Sequence, residues 1–287
     1  MKIFSPALSR LARFRYWRIE HWENDPIAAQ REVLQDLITH GQYTQFGRKY
    51  GYSDIFTIRK FKETVPIHEY QDLKPYIDQI MDGEESVLWN TPVFWFAKSS
   101  GTSSAKSKFI PISDESLQQN HFKASKDVLS NYYKFFPSSN LLTGKGLVVG
   151  GSHQISKLNN DIQFGDLSAV LMQNTPFWGQ WIRTPELSVA LLDEWENKIE
   201  QLAQITANEN VTSLAGVPTW TLLLLKRILE IKEKKTINEV WPNLELYING
   251  GVSFVPYKEQ FDNDSTIKTF LLSDEGSTNS KHYLGQK

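Results

Sequence analysis

The chain contains no cysteine. That excludes disulfides, thiolate-held zinc and a cysteine nucleophile, and it fits a reducing, cytoplasmic setting. It also lacks an excess of either charge. Its 31 basic and 33 acidic side chains leave a formal net charge of -2, so no strong basic field marks it as a nucleic-acid binder. No hydrophobic run is long enough to cross a bilayer, and the most apolar stretch, 221–225, is ended at once by Lys226 and Arg227. The 6 histidines show no metal-ligand spacing, and no H-E-x-x-H occurs. Asp161, Asp166, Asp193 and Glu194 form no close catalytic acid pair. Internal repeats and low-complexity tracts are absent too.

What the chain does have is apolar and aromatic mass. Hydrophobic residues make up 40% of the 287, with 9 Trp, 11 Tyr and 16 Phe. This is enough for a sizeable core, so global disorder is excluded. Residues 1–22 are arginine-rich, with no acidic residue before Glu20. They read either as a transit or membrane-surface segment, or as an amphipathic helix docked on the body through Leu8, Leu11, Phe14 and Ile19. Charges interrupt any signal-peptide core, which favours the docked helix.

Asp25-Pro26 predicts a helix start, with Asp as cap and Pro in the first turn. Thr57 is placed to cap a short helix through Lys62. Residues 68–81 read as an amphipathic helix stopped by Asp82-Gly83, with Pro75 predicting a kink or a late start. From Val93 the character changes. Candidate strands at 93–97, 146–149, 210–215 and 244–248 alternate with candidate helices at 113–135, 186–207 and 218–235. This order predicts an α/β fold with a mainly parallel sheet flanked by helices. In such sheets ligands gather at the carboxyl ends of the strands. Small residues stand there: Ser99-Ser100-Gly101, Gly150-Gly151-Ser152 (followed by His153), Gly216 and Gly250-Gly251.

The most informative stretch is Lys98 to Pro111, K-S-S-G-T-S-S-A-K-S-K-F-I-P. An aromatic strand leads into a loop of hydroxyls, small residues and lysines. Such a stretch serves as a flexible surface connection, or it wraps backbone N–H groups and hydroxyls around phosphate oxygens while a lysine offsets charge. It is not a Walker A loop. Its place between a buried strand and an expected helix beyond Pro111 favours phosphate.

Ser99-Ser100-Gly101-Thr102-Ser103 followed by Lys108 and Pro111 resembles the first nucleotide motif of the GH3 family of acyl acid–amido synthetases, within the wider adenylate-forming superfamily. Thr44-Gln45-Phe46-Gly47, the segments 61–66 and 70–84, Ala215 to Trp220, and Gly250 to Phe254 resemble further parts of that family. The likeness runs from about residue 25 to about residue 261. It implies the N-terminal part of the large adenylate-forming domain, with a helical segment at 1–90, an α/β nucleotide- and acyl-binding core at 91–261 and a divergent tail at 262–287. It also implies a two-step reaction with ATP and Mg²⁺. A carboxylic acid becomes an acyl-adenylate, and an amine, commonly of an amino acid, then takes the acyl group.

On this resemblance Ser99, Ser100, Thr102 and Ser103 supply donors to the phosphates, Gly101 permits close approach and Lys108 offsets pyrophosphate charge. Gly250, Gly251, Val252 and Ser253 line the adenine and AMP side. Pro218, Thr219 and Trp220 lie near the acyl pocket. Glu275, in the weak echo Ser273-Asp274-Glu275-Gly276 of the family's second motif, is the metal candidate, and a solvated turn is the alternative reading. Ala105 stands where the family usually has glycine. The ribose-binding aspartate motif and the small C-terminal domain are missing, so a truncated member is expected. The alternatives are a non-catalytic remnant that binds nucleotide or carboxylic acid, and an acyl-CoA-forming ligase of the same superfamily. Trp17/Trp22, Trp89/Trp95 and Trp178/Trp181 are candidates to stack on a ring-bearing acid, with core packing as the commoner use.

Overall fold

A computed structural model of the chain describes residues 5–99, 107–150, 155–158, 161–190, 192 and 194–264. Eight strands occur among them: β1 (Trp95–Lys98), β2 (Phe109–Ile112), β3 (Lys145–Val149), β4 (Ser156–Lys157), β5 (Gln163–Gly165), β6 (Arg183–Thr184), β7 (Val211–Gly216) and β8 (Leu246–Asn249). They form two four-stranded sheets, ordered β2-β1-β5-β4 and β6-β3-β7-β8. The expected α/β class holds. Parallel pairing holds throughout the second sheet. The first is mixed, because β2 and β4 run antiparallel to their neighbours.

The chain divides into two compact units. Among the described residues one unit draws on 5–14, 129–150 and 172–264, and the other on 15–128 and 155–171. The first contains the parallel sheet. One face of that sheet buries Leu147, Val149, Leu214 and Tyr247 against the helices Trp195–Thr206 and Pro218–Lys232, which supply Leu202, Leu224, Leu225 and Ile228. Trp241 lies fully buried in this core, and its indole N–H donates to the Thr206 carbonyl at 2.9 Å. The other face carries Leu246 against Tyr132, Tyr133 and Leu141. Here the Glu245 carboxylate accepts from the Tyr132 hydroxyl (3.0 Å), the Asn140 amide (2.9 Å) and the Ser139 hydroxyl. Burial raises the Tyr132 pKa, and the adjacent carboxylate raises it further.

The second unit packs the mixed sheet against helix Tyr70–Met81 through Phe96, Ile77, Ile80 and Val87. Its remaining apolar cluster joins Ala97, Ile112, Leu117 and Val170.

Local chemistry explains several helix starts. Asp25 accepts from the Ala28 amide at 3.0 Å and Pro26 opens helix Pro26–Gly41. Thr57 caps Ile58–Thr64 in the same way. Helix Tyr70–Met81 begins two residues later than the apolar spacing predicts, because Glu69 and Asp72 form a capping box, and it retains Pro75 inside. The helix expected over 186–207 is broken. Leu187–Ala190 and Trp195–Thr206 are separate, and Glu194 adopts extended backbone (φ -71°, ψ 113°) to start the second. The helix expected from 113 takes a π-helical turn at Ser116–His121 before Phe122–Phe135.

The N-terminal helix Ser5–Asn24 departs from expectation. Leu11 and Phe14 are 64% and 72% exposed, while Tyr16 is buried. Arg15 pairs with Asp127 at 2.6 Å, and Lys123 sits over the Trp22 ring. These contacts, and not the Leu11 and Phe14 stripe, set the packed face. Trp17 and Trp181 are exposed, so neither serves core packing. Trp89 stacks on His40 and donates to Glu115 at 3.1 Å. Among the described residues no helix is long and apolar enough to cross a membrane.

Candidate functional site

The Ser/Gly loop leaves β1 and returns through β2, so it closes an antiparallel hairpin. A strand that was not expected, β2, thus stands between the loop and the helix expected beyond Pro111. The return strand Phe109-Ile110-Pro111-Ile112 lies at the sheet edge, where a proline removes no ladder bond from the sheet. Residues 100–106 lie outside the described residues, and Ser100, Gly101, Thr102 and Ser103 are among them.

The stem below the loop is well determined by its bonds. Lys98 pairs with Phe109. Ser99 donates its amide to the Lys108 carbonyl at 2.9 Å, and its hydroxyl accepts from the Lys108 amide at 3.3 Å. The Tyr70 hydroxyl then clamps the outer edge of β2, accepting from the Phe109 amide at 2.9 Å and donating to the Phe109 carbonyl at 3.3 Å. Lys108 Nζ lies 5.4 Å from the centre of the Tyr70 ring. Ser99 and Lys108 therefore face each other at the mouth of the loop, on a stem held from two sides. An ammonium resting on an aromatic face is kept near the loop, with no carboxylate among the described residues neutralising it.

The second group of expected site residues belongs to the unit with the parallel sheet. β7 and β8 run side by side with Gly216 opposite Asn249, and Val149 of β3 lies opposite Gly216 on the other side. Three carboxyl ends are thus level. Beyond β7 the chain turns into helix Pro218–Lys232, with Pro218 buried in its first turn. Beyond β8 come Gly250, Gly251, Val252 and Ser253, of which the last three are exposed. Gly251 has φ +82°, and a Cβ there would lie 3.2 Å from Val217 Cγ2. The glycine-bearing turn therefore rests on the start of the helix. This brings the two expected groups, Pro218-Thr219-Trp220 and Gly250 to Ser253, together. Trp220 is half-buried and packs on Trp195, with ring centres 4.9 Å apart. His153 and Glu275 lie outside the described residues.

Two residues here were not among the expected site residues. Tyr247 sends its hydroxyl to the Gly216 carbonyl at 3.0 Å and to Thr221 Oγ1 at 3.4 Å, tying β8 to the turn after β7. Asn249 is 2% exposed, and neither of its side-chain polar atoms has a partner among the described residues. The signal in the sequence was an asparagine directly before Gly250-Gly251 at the end of an apolar strand.

Burial pushes the Tyr247 phenol up to about 12, the Thr221 contact working the other way. The folded chain holds this phenol neutral above the ordinary value of 10.0. Its contribution to stability is therefore full below that value and is lost as pH rises through about 12. Tyr247→Phe should cost about 1 kcal/mol at neutral pH through the lost hydrogen bond. It should also flatten the alkaline decline in stability, as read by urea unfolding at neutral and alkaline pH. An unchanged alkaline slope would contradict this assignment.

A cavity of about 1000 Å³ lies at the opposite, amino-terminal end of the parallel strands, lined in part by Asn140, Asn208, Asn210, Lys232 and Asn243. Its polar walls are internally paired, with Lys232 bonded to Asn208 at 2.6 Å and Asn243 to Asn210 at 2.9 Å. It carries none of the expected site residues.

The fold is that of an acyl acid amido synthetase and, more distantly, of an acyl-CoA ligase. The structure of the GH3.15 acyl acid amido synthetase matches with a TM-score of 0.68 at 17% identity, over 88% of this chain and 54% of that one. A 2-hydroxyisobutyryl-CoA ligase in complex with 2-HIB-AMP and CoA matches with a TM-score of 0.52 at 12% identity, over 85% and 52%. At those identities the likeness concerns the fold alone. The profile of the GH3 family N-terminal domain matches residues 15–267, and the chain belongs to the GH3 family. Indole-3-acetic acid-amido synthetase GH3.2 of Arabidopsis thaliana is 32% identical over 102 residues, 35% of this chain and 19% of that protein. Jasmonoyl--L-amino acid synthetase JAR6 of Nicotiana attenuata is 29% identical over 163 residues, 55% and 27%. The chain spans about half the length of the amido synthetase structure it matches.

Proposed function

We propose that this chain contributes to ATP-dependent activation of a carboxylic acid as its acyl-adenylate, with transfer of the acyl group to an amine, commonly that of an amino acid. The observation that carries this reading is the family match over residues 15–267. The hairpin stem that presents Ser99 and Lys108 at the mouth of a hydroxyl-rich loop supports it.

The chemistry asks for little covalent help from the protein. A carboxylate oxygen is a poor leaving group. Attack of that oxygen on the α-phosphate of ATP releases pyrophosphate and turns it into part of AMP, which leaves readily when an amine attacks the acyl carbon. The protein has to position the partners and stabilise phosphate charge. In this reading Ser99, Ser100, Thr102 and Ser103 donate to the phosphates, and Gly101 permits close approach. Lys108 offsets the charge of the departing pyrophosphate. Gly250, Gly251, Val252 and Ser253 receive the adenylate, and Pro218, Thr219 and Trp220 border the acid. Among the described residues no group of three His, Asp or Glu side chains is placed to hold a metal ion. In this reading a magnesium ion accompanies the nucleotide phosphates, with Glu275 as the proposed protein contact.

Carboxylate-dependent exchange of labelled pyrophosphate into ATP tests the first half-reaction. Exchange that requires an added acid is the expected result. ATP binding without exchange under any acid would leave a binding remnant and overturn the catalytic reading. The fold shared with an acyl-CoA ligase makes CoA the second acceptor to offer beside a panel of amino acids. Amide products and no thioester are expected.

A further inference from the structure

We propose that the outward face of the N-terminal helix Ser5–Asn24 docks this protein on the surface of an anionic lipid bilayer. The inference stands independently of the ATP-dependent reading above.

A helix turns by about 100° per residue, so Leu11, Phe14 and Trp17 fall within one arc of about 120°. All three are exposed, by 64%, 72% and 68%. Arg10, Arg18 and His21 are exposed in the same arc. The packed side is the opposite one. Tyr16 is buried there, Arg15 pairs with Asp127 at 2.6 Å, and Lys123 lies over the Trp22 ring. The acidic residues of the helix are Glu20 and Glu23. Neither belongs to the exposed arc, and Glu23 accepts from the Tyr16 hydroxyl at 3.3 Å on the far side. Arg10 and Arg18 make no ion pair among the described residues. The next helix, Pro26–Gly41, also exposes Ile27, Val33 and Leu37, but exposed Glu32 and Asp36 accompany them. The arc on Ser5–Asn24 differs in joining apolar bulk to positive charge with no negative charge.

The charge pattern selects the occupant. A second copy of the chain, packed about a two-fold axis, would set this arc against itself and bring Arg10 and Arg18 against arginines. Three apolar side chains on one helix also fall well short of the about 20 residues a side that a stable protein interface enlists. A bilayer with anionic headgroups meets both halves of the pattern. Leucine, phenylalanine and tryptophan enter the boundary between headgroups and acyl chains, while arginine lays its stem along them and reaches lipid phosphate with its head. The chain as a whole carries a net charge of -2. Attraction to an anionic surface therefore has to come from a local arc such as this one, and substitutions within the arc should remove it.

The test is co-flotation of the full chain with vesicles of phosphatidylcholine alone and of phosphatidylcholine mixed with phosphatidylglycerol, at low and high salt. Binding to the mixed vesicles, weakened by salt, and no binding to phosphatidylcholine alone are expected. Arg10→Gln combined with Arg18→Gln should lower partition into the mixed vesicles about 30-fold, since two basic side chains near the surface are lost. Phe14→Ser should lower it about tenfold through the apolar ring withdrawn. These variants should melt at the parent's temperature, because the altered side chains are exposed. If Phe14→Ser melts lower, Trp17→Ser takes its place in the vesicle comparison, and a lowered melting temperature in both marks the face as packed and overturns the inference. No binding to either vesicle, equal binding to both, or binding undiminished in the variants overturns it too. Self-association that Phe14→Ser abolishes, in a chain that ignores vesicles, assigns the face to a second copy and likewise overturns it.

Discussion

Lys108→Ala should weaken ATP binding about 10- to 100-fold, the range of one charge-assisted hydrogen bond removed from a phosphate. It should weaken tripolyphosphate binding by the same factor. That parallel loss would mark Lys108 as acting on phosphate charge and not on the base. The fold should tolerate the change. Lys108 contributes its backbone to the hairpin stem through Ser99, and alanine retains both of those bonds. Among the described residues, alanine removes the contact of the ammonium with the Tyr70 ring, an interaction worth about 1 kcal/mol or less at such a site. Calorimetric titration of both ligands against parent and variant measures this. A large drop in melting temperature would instead give Lys108 a structural role.

The second large effect concerns Gly216. A Cβ at this position would stand 2.4 Å from the Val149 carbonyl oxygen and 3.0 Å from Val149 Cβ. The obstacle is backbone of the adjoining strand, which cannot swing aside as the tip of a long side chain can. Gly216→Ala should therefore force β3 and β7 apart at their carboxyl ends and cost about 3 kcal/mol, the upper range for overpacking. For a chain of this size that is a fall of roughly 10 °C in melting temperature. The turn carrying Val217 and Pro218 would move with it, so ligand binding should suffer beyond the loss of fold. Thermal unfolding of the variant decides this, and a melting temperature unchanged from the parent's would contradict the packing described.

Three strands of the parallel sheet, β3, β7 and β8, were legible because each is a short apolar run closed by small residues, whereas β6, the two polar residues Arg183 and Thr184, was not. The ends of those three differ from the spacing by only one or two positions, as with β7 at Val211–Gly216. β2 was not legible, since Pro111 inside four residues reads as a stop. Only the edge position of that strand makes the proline harmless. The break between Ala190 and Trp195 was hidden in the same way, because Glu194 fits a helix interior in periodicity but stands here as the extended residue before a new helix. The N-terminal helix was legible as a helix, but its packed face was not. Arg15 finds Asp127 more than a hundred residues away, a pairing no local pattern announces.

For the candidate site, the composition of the loop after Ser99 and the paired glycines after β8 were visible in the amino-acid order. The clamp of Tyr70 on Phe109 was not, because it joins residues 39 positions apart. Nor was Asn249, whose interest lies in being buried without a partner, a property that exists only once the chain is folded.

The account depends on the hydroxyl-rich hairpin loop holding the phosphates of ATP. A crystal structure of the chain with a non-hydrolysable ATP analogue tests this most directly. The account predicts phosphate oxygens within hydrogen-bond distance of the Ser99 to Ser103 segment and of Lys108 Nζ. Nucleotide bound elsewhere, with that loop turned to bulk solvent, would contradict it.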